Sequence, residues 1–466
     1  MCEAVLLYPR PLARYPGRLL LLPLLPHRPS LKPLPSEIWS RIFVQALFED
    51  DQDTQSHNAH NNIWRSCLSL MLVCKGFKEV AMPMLYSNVC LHSVNSLQKF
   101  TAHLHSADRM WDSIRRIPYS TPGRWVQVLD LSALLAGLDS SAYYAVNALL
   151  TQLFPLLPFL AKLTLYSGFL LSCRALASLT HRDGSSNIRA LGGIYYDPFI
   201  YSAVATGEDH FVQLLRVCVN LELLEVTGIG LDDTDLESHF DNAESLKTPN
   251  ITAPLYLPHL RSLTLLSMPS SLLMYALLHS PLPRLRTLSL TPYDDIPFPT
   301  SLSSVFLETH GQHLRNIFLF TPKSWPTRYH SSPSTILNTS PHLRHLSLEY
   351  PLPALTLTFQ TPLTGVSSPC IFPLQILSIP RPSSDFWVTL ERLVPFLPSL
   401  QTIRMRDVRW LRHGMTSRAQ EAGIQGEMME WDRRLTRRGI RLLDRNWKES
   451  QARECGISKL SELAVF

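Results

Sequence analysis

Three pairs of histidines stand close enough in sequence to share a ligand: His57 with His60, His103 with His105, and His342 with His345. A zinc site would need Cys, His or carboxylate partners at ligand spacing. None accompanies them, so they read as surface or turn histidines. The stretch "LDDTDLESHFDNAE" (231–244) concentrates acids but lacks the Asp-x-Asp-x-Asp-Gly order of a calcium loop, and reads as a solvated loop. The eight cysteines, at 2, 67, 74, 90, 173, 218, 370 and 455, include no Cys-x-x-Cys pair and read as thiols of a reducing compartment. The sequence holds no Gly-x-Ser-x-Gly, no Walker loop and no Gly-x-Gly-x-x-Gly. The expectation is a non-catalytic chain without metal or cofactor, whose function lies in the surfaces its elements hold out.

Composition narrows those elements. Of 466 residues, 45% are apolar and 17% charged, below the roughly 25% charge of an average soluble domain, so the chain buries a sizeable core. The 36 prolines, against a usual share of about 5%, call for many short elements joined by turns. The formal charge of +5 is local, because residues 401–450 hold 12 Lys/Arg against 7 Asp/Glu. That balance is a weak basis for nucleic-acid binding. Residues 1–33 carry Arg10, Arg14 and Arg18 before a leucine run broken by Pro23 and Pro26. They read as a poorly ordered leader rather than a signal peptide. No stretch approaches the roughly 18 continuous apolar residues of a membrane span. The expected setting is cytoplasmic, nuclear or both, with no membrane partner.

Three zones follow. In the first (34–86), "LPSEIWSRIF" (34–43) opens a helical pattern in which Trp39, Ile42, Phe43 and Ala46 keep i, i+3, i+4, i+7 spacing. Pro35 suits a first turn, where its missing N–H costs nothing. A polar insert at 49–62 lacks any period, and helical pattern resumes in "CLSLMLVCKGFKEVAMPMLY" (67–86), with Gly76 marking a break between two helices.

The second zone (87–410) repeats the pattern apolar-x-x-apolar-x-apolar. Copies begin at Val126, Leu160, Leu221, Leu260, Leu285, Leu314, Leu343, Leu374 and Leu400, with a weaker one at Ile188 and Leu191. The last six starts are 25 to 31 residues apart, near the roughly 20–29 residue period of leucine-rich repeats. "LPFLAKLTL", "LPHLRSLTL", "LPRLRTLSL", "SPHLRHLSL" and "LPSLQTIRM" each place a proline two residues ahead of the first apolar position. There it would end a helix and launch an extended strand. Helical segments lie just upstream, among them "SAYYAVNALLTQLF" and "SSDFWVTLERLVPF". A strand–turn–helix unit cannot bury its own apolar face, but a stack of them with strands parallel and helices outside buries a continuous core.

The third zone (411–466) is charged and helical. Ile424, Met428, Trp431 and Leu435 form one stripe, Glu430 and Arg434 an i,i+4 pair, and Gly439 a stop. It is expected to serve as a helical cap on the stack.

Residues 34–86 resemble an F-box. Leu34, Pro35, Glu37, Ile38, Ile42 and Phe43, then Val73, Cys74, Lys75, Phe77, Ala81, Pro83, Leu85 and Tyr86 fall at positions that family favours. With degenerate leucine-rich repeats behind it, the chain resembles the F-box proteins expanded in fungi. Two features depart from the family's pattern: the insert at 49–62 lengthens a loop, and Phe77 stands where a tryptophan is common. The resemblance implies an α/β chain with a three-helix F-box, a leucine-rich-repeat-like solenoid and a C-terminal helical cap. It also implies a Skp-type adaptor as partner, through it a cullin-RING ubiquitin ligase, and an unknown protein substrate on the repeats. Leu34, Pro35, Ile38, Ile42, Val73, Cys74 and Phe77 are the candidate adaptor contacts, each about as able to be core as contact. One rival is a ligase-independent repeat scaffold. Another is a nucleic-acid-associated protein using Arg433, Arg434, Arg437 and Arg438.

Overall fold

The computed structural model describes residues 34–48, 65–109, 122–134, 140–201, 209–229, 254–268, 271–292, 302–322, 332–357, 371–411 and 419–450. The leader, the insert at 49–62 with its histidine pair, and the acidic stretch at 231–244 lie outside them. The chain divides into two compact units, residues 1–85 and 86–466.

The first unit contains α1 (Ser36–Phe48), α2 (65–71) and the start of α3 (Lys75–Ser87). Pro35 sits immediately before α1, and its carbonyl accepts the N–H groups of Ile38 and Trp39, so it opens the helical ladder. Gly76 lies inside the first turn of α3. The break comes earlier, where Leu72 and Val73 turn back onto Ser69 and Leu70 and the Cys74 thiol accepts the Phe77 N–H at 3.4 Å. A sulfur in the capping place satisfies an N–H that the first turn leaves orphaned.

The second unit is one sheet of twelve strands in sequence order, every pair parallel. The strands are β1 (Asn88–Cys90), β2 (Val128–Asp130), β3 (Lys162–Thr164), β4 (Ala190–Tyr196), β5 (Leu223–Gly228), β6 (Ser262–Leu266), β7 (Thr287–Leu290), β8 (Asn316–Leu319), β9 (His345–Ser347), β10 (Ile376–Ile379), β11 (Thr402–Met405) and β12 (Arg441–Leu443). This is a leucine-rich-repeat-like α/β solenoid. The middle apolar position of the pattern forms a column of Leu129, Leu163, Leu191, Leu224, Leu263, Leu288, Ile317, Leu346, Leu377, Ile403 and Leu442, all fully or almost fully buried.

The helices pack in series behind that column: α4 (Val94–Arg109), α5 (Ser140–Leu153), α6 (Cys173–Thr180), α7 (Pro198–Tyr201), α8 (His210–Val217), α9 (Leu272–Leu278), α10 (Ser303–His310), α11 (Ile336–Thr339), α12 (Ser384–Leu393) and α13 (Ala419–Thr436). Five of them are capped by side chains in the N-cap position: Ser93, Ser172, Asp209, Ser271 and Ser383 each accept N–H groups of the first turn. The repeated prolines do more than end helices. Leu160, Leu260, Leu285, Leu343 and Leu400 each donate to the carbonyl three residues back. Pro158, Pro258, Pro283, Pro341 and Pro398 therefore occupy the second position of a β-turn, where a fixed φ near −65° is already correct.

Three strands depart from the expected repeat pattern. β1 precedes the first recognised copy and places Val89 beside Leu129. β12 extends the sheet beyond residue 410, where only a helical cap was expected. Leu442 pairs with Ile403, but Gly439 and Asp444 stand in the flanking apolar places, which hides the pattern. The helix before it keeps its expected stripe, with Met428, Trp431 and Leu435 buried. Gly439 stops it at φ +72°. In β4 the register shifts between Leu191 and Ile194, so Ile194 takes the inward place that Gly193 would have held.

Candidate interaction surfaces

On α1, Trp39 and Phe43 turn inward. Their rings meet Phe77 at 4.7 and 5.0 Å, and Phe43, Cys67 and Ala81 are buried. Phe77 is thereby committed to the internal aromatic cluster rather than held out for a partner. Cys74 is exposed but tied to α3 as its cap. The remaining five expected contacts, Leu34, Pro35, Ile38, Ile42 and Val73, are exposed. Ile38 and Ile42 keep 39% and 41% of their surface, Val73 64% and its neighbour Leu72 88%. Spacing in sequence could not separate these groups, because α1 is apolar over two adjacent arcs and the unit covers one.

The free face of the sheet carries a second feature, a hollow of about 300 Å³ lined by Phe318, Phe320, His345, Ser378, Arg404 and Arg406 among others. Arg406, just after β11, reaches across β10 to Glu349, just after β9, at 2.7 Å. It also donates to the carbonyl of Leu319 at 3.1 Å. Glu349 in turn accepts the N–H groups of Thr321 and Tyr350. Arg404 lies 4.3 Å from the ring centre of Trp447 and donates to the Arg445 carbonyl. His345 is half-buried on β9, hydrogen-bonded to Ser378 Oγ at 3.1 Å, and is no turn histidine; its partner in sequence, His342, is exposed. Burial, helped by the nearby Arg404, pulls the His345 imidazole down to about 4. A neutral ring in this place packs against Phe318 at 4.8 Å. Among the described residues no group of His, Cys, Asp and Glu could hold a metal ion, and no helix is long and apolar enough to cross a membrane.

A third feature lies at the entry to the strands. The residue ahead of each strand is Arg261, Arg286, Arg315 and Arg344 on β6 to β9 in turn, and their main chains are bonded in order. The N–H of Arg286 donates to Arg261, that of Arg315 to Arg286, and that of Arg344 to Arg315, at 3.0, 2.8 and 2.7 Å. Two residues earlier in the same repeats stand His259, Arg284, His313 and His342. A groove of about 420 Å³ runs along this edge, lined by Arg286, His313, Arg315, His342 and Arg344. Sequence reasoning passed over this column, although its arginines stand in the repeated words "PHLR", "PRLR", "QHLR" and "PHLR". Charge summed over long segments hides it.

At the C-terminal end, Arg433 and Arg434 pair with Glu430, and Arg438 with Glu391. Three of the four arginines named for a nucleic-acid surface are thus engaged within the chain.

No family model matches this sequence, and no curated protein matches it. A solved structure described as the crystal structure of a TLR13–ssRNA13 complex is similar to it at 17% sequence identity, over 61% of this chain and 33% of that one, with a TM-score of 0.31. The chain spans about one third of that protein's length.

Proposed function

We propose that this protein is a non-catalytic binding scaffold that acts as the substrate receptor of a ubiquitin ligase. Its N-terminal helices engage a Skp-type adaptor and its repeats hold a protein substrate. The observation that carries the reading is the apolar surface of Leu34 and Pro35, just ahead of α1, and of Ile38 and Ile42 on it, exposed beside a helix face already packed by Trp39 and Phe43. A helix apolar on two adjacent arcs, in a unit able to cover one, leaves surface for a partner. The F-box resemblance of the same residues names the partner's class. Catalysis would then reside in the ligase, and this chain would contribute proximity by holding the substrate's lysines near the ubiquitin-carrying enzyme.

The test is co-purification of the full chain with a Skp-type adaptor, native against the triple variant Leu34→Ala, Pro35→Ala, Ile38→Ala. Circular dichroism checks that both fold. Capture by the native chain alone supports the receptor reading. If neither chain is captured, the protein is a repeat scaffold without a ligase.

A further inference from the structure

We infer that the arginine column Arg261, Arg286, Arg315 and Arg344 is a docking surface for an acidic peptide segment, a run of Asp and Glu in a partner protein. The inference rests on the receptor reading only in calling that partner a substrate.

Like charges placed directly opposite on neighbouring strands are destabilising. Here four consecutive strands place arginine at one register position, all four side chains exposed, and among the described residues none has a hydrogen bond or an ion pair. The same position on the two preceding strands shows the alternative, since Arg189 and Glu222 face each other there at 3.9 Å. The two following strands carry the neutral Gln375 and Gln401. A block of uncompensated cations is therefore set between a paired step and neutral ones, and three of them, Arg286, Arg315 and Arg344, line the groove. Its repulsion is relieved when an anionic segment lies along it.

The spacing favours distributed charge over a single dense anion. Strands about 4.8 Å apart spread the four residues over roughly 14 Å, the length of about four extended residues. Guanidinium forks suit carboxylates in such a row. Single-stranded nucleic acid, the other polyanion of this width, is held by aromatic side chains on which bases stack. Among the described residues no Phe, Tyr or Trp lines the groove.

Fluorescence anisotropy of the full chain tests this with a labelled oligoglutamate of roughly eight residues, an oligoserine of equal length and a single-stranded oligouridylate. The oligoglutamate is expected to bind in low salt and the oligoserine not. R261Q/R286Q/R315Q/R344Q is expected to weaken oligoglutamate binding about thirty-fold, from four exposed ion pairs. The exposed control set K99Q/R381Q/R392Q/R437Q is expected to leave it unchanged. Equal weakening by both sets, or no oligoglutamate binding by the native chain, overturns the inference. So does tighter binding of the oligouridylate that is lost with the column. Adaptor capture by the native chain separates the claims: capture without peptide binding keeps the receptor reading alone, and peptide binding without capture keeps the docking surface alone.

Discussion

A β-carbon on Gly193 would stand inside the van der Waals envelope of the Leu165 carbonyl, and Gly193 holds φ at +66°. The fourth strand thus passes the third too closely for any side chain, and its bulge exists only because this residue has none. Gly193→Ala is expected to cost about 2–4 kcal/mol, from left-handed backbone plus displacement of the neighbouring strand. The midpoint of urea unfolding reads this directly, and an unchanged midpoint would mean that β4 pairs without the bulge.

The Arg406–Glu349 pair crosses an intervening strand and is largely out of water, with side chains 18% and 9% exposed. Removing one partner leaves a buried charge. Arg406→Leu is expected to destabilise by about 3–5 kcal/mol, while Arg406→Leu with Glu349→Met loses less than the single change. A double-mutant cycle in denaturant measures the coupling, and additive losses would show the pair to be independent.

His345 titrates at about 4 in the fold, against about 6.5 in an unfolded chain. Between those values the unfolded chain binds a proton that the folded chain refuses, so stability rises with pH across the window and falls as pH drops through it. Its contribution is fully present above the unfolded value. His345→Gln removes this titration, so its unfolding midpoint is expected to fall less than the native one between about pH 7 and about pH 5. Parallel falls in the two proteins would show that other groups carry the dependence.

Trp431 packs edge-on against Trp387 at 4.8 Å and is 4% exposed. Trp431→Ala is expected to cost about 3–5 kcal/mol. A chain ended at residue 410 loses α13 and β12 together and bares the edge of β11, an edge open to pairing with other chains. Light scattering is expected to show that it aggregates where a chain ended at residue 450 does not.

The sheet was legible wherever three apolar residues marked a strand, because each marks a place that must be buried. It was illegible where a side chain was exchanged for something with another duty. At β12, Asp444 stands in an apolar place and accepts the N–H groups of Trp410, Asn446 and Lys448, closing the last turn with a carboxylate. At β4, a glycine bulge moved the inward residue one place along. At β1, Tyr86 stood where a leucine usually does. The surfaces were harder still. Nothing in the spacing of Ile38 and Trp39 says which one faces inward, and the arginine column exists only once the register is known. Adjacent strands bring together residues that sequence keeps at least 25 apart.

Every strand pairs through its backbone only with the ones before and after it in sequence, so a disturbance travels chiefly along the stack. Such an assembly is expected to melt like a frayed rope, inward from its two ends, with amide exchange slowest halfway along, around β6 to β8. The cationic rungs lie at that most protected stretch. An arriving acidic segment therefore meets a surface already rigid before contact, and what it loses in freedom on binding is almost entirely its own.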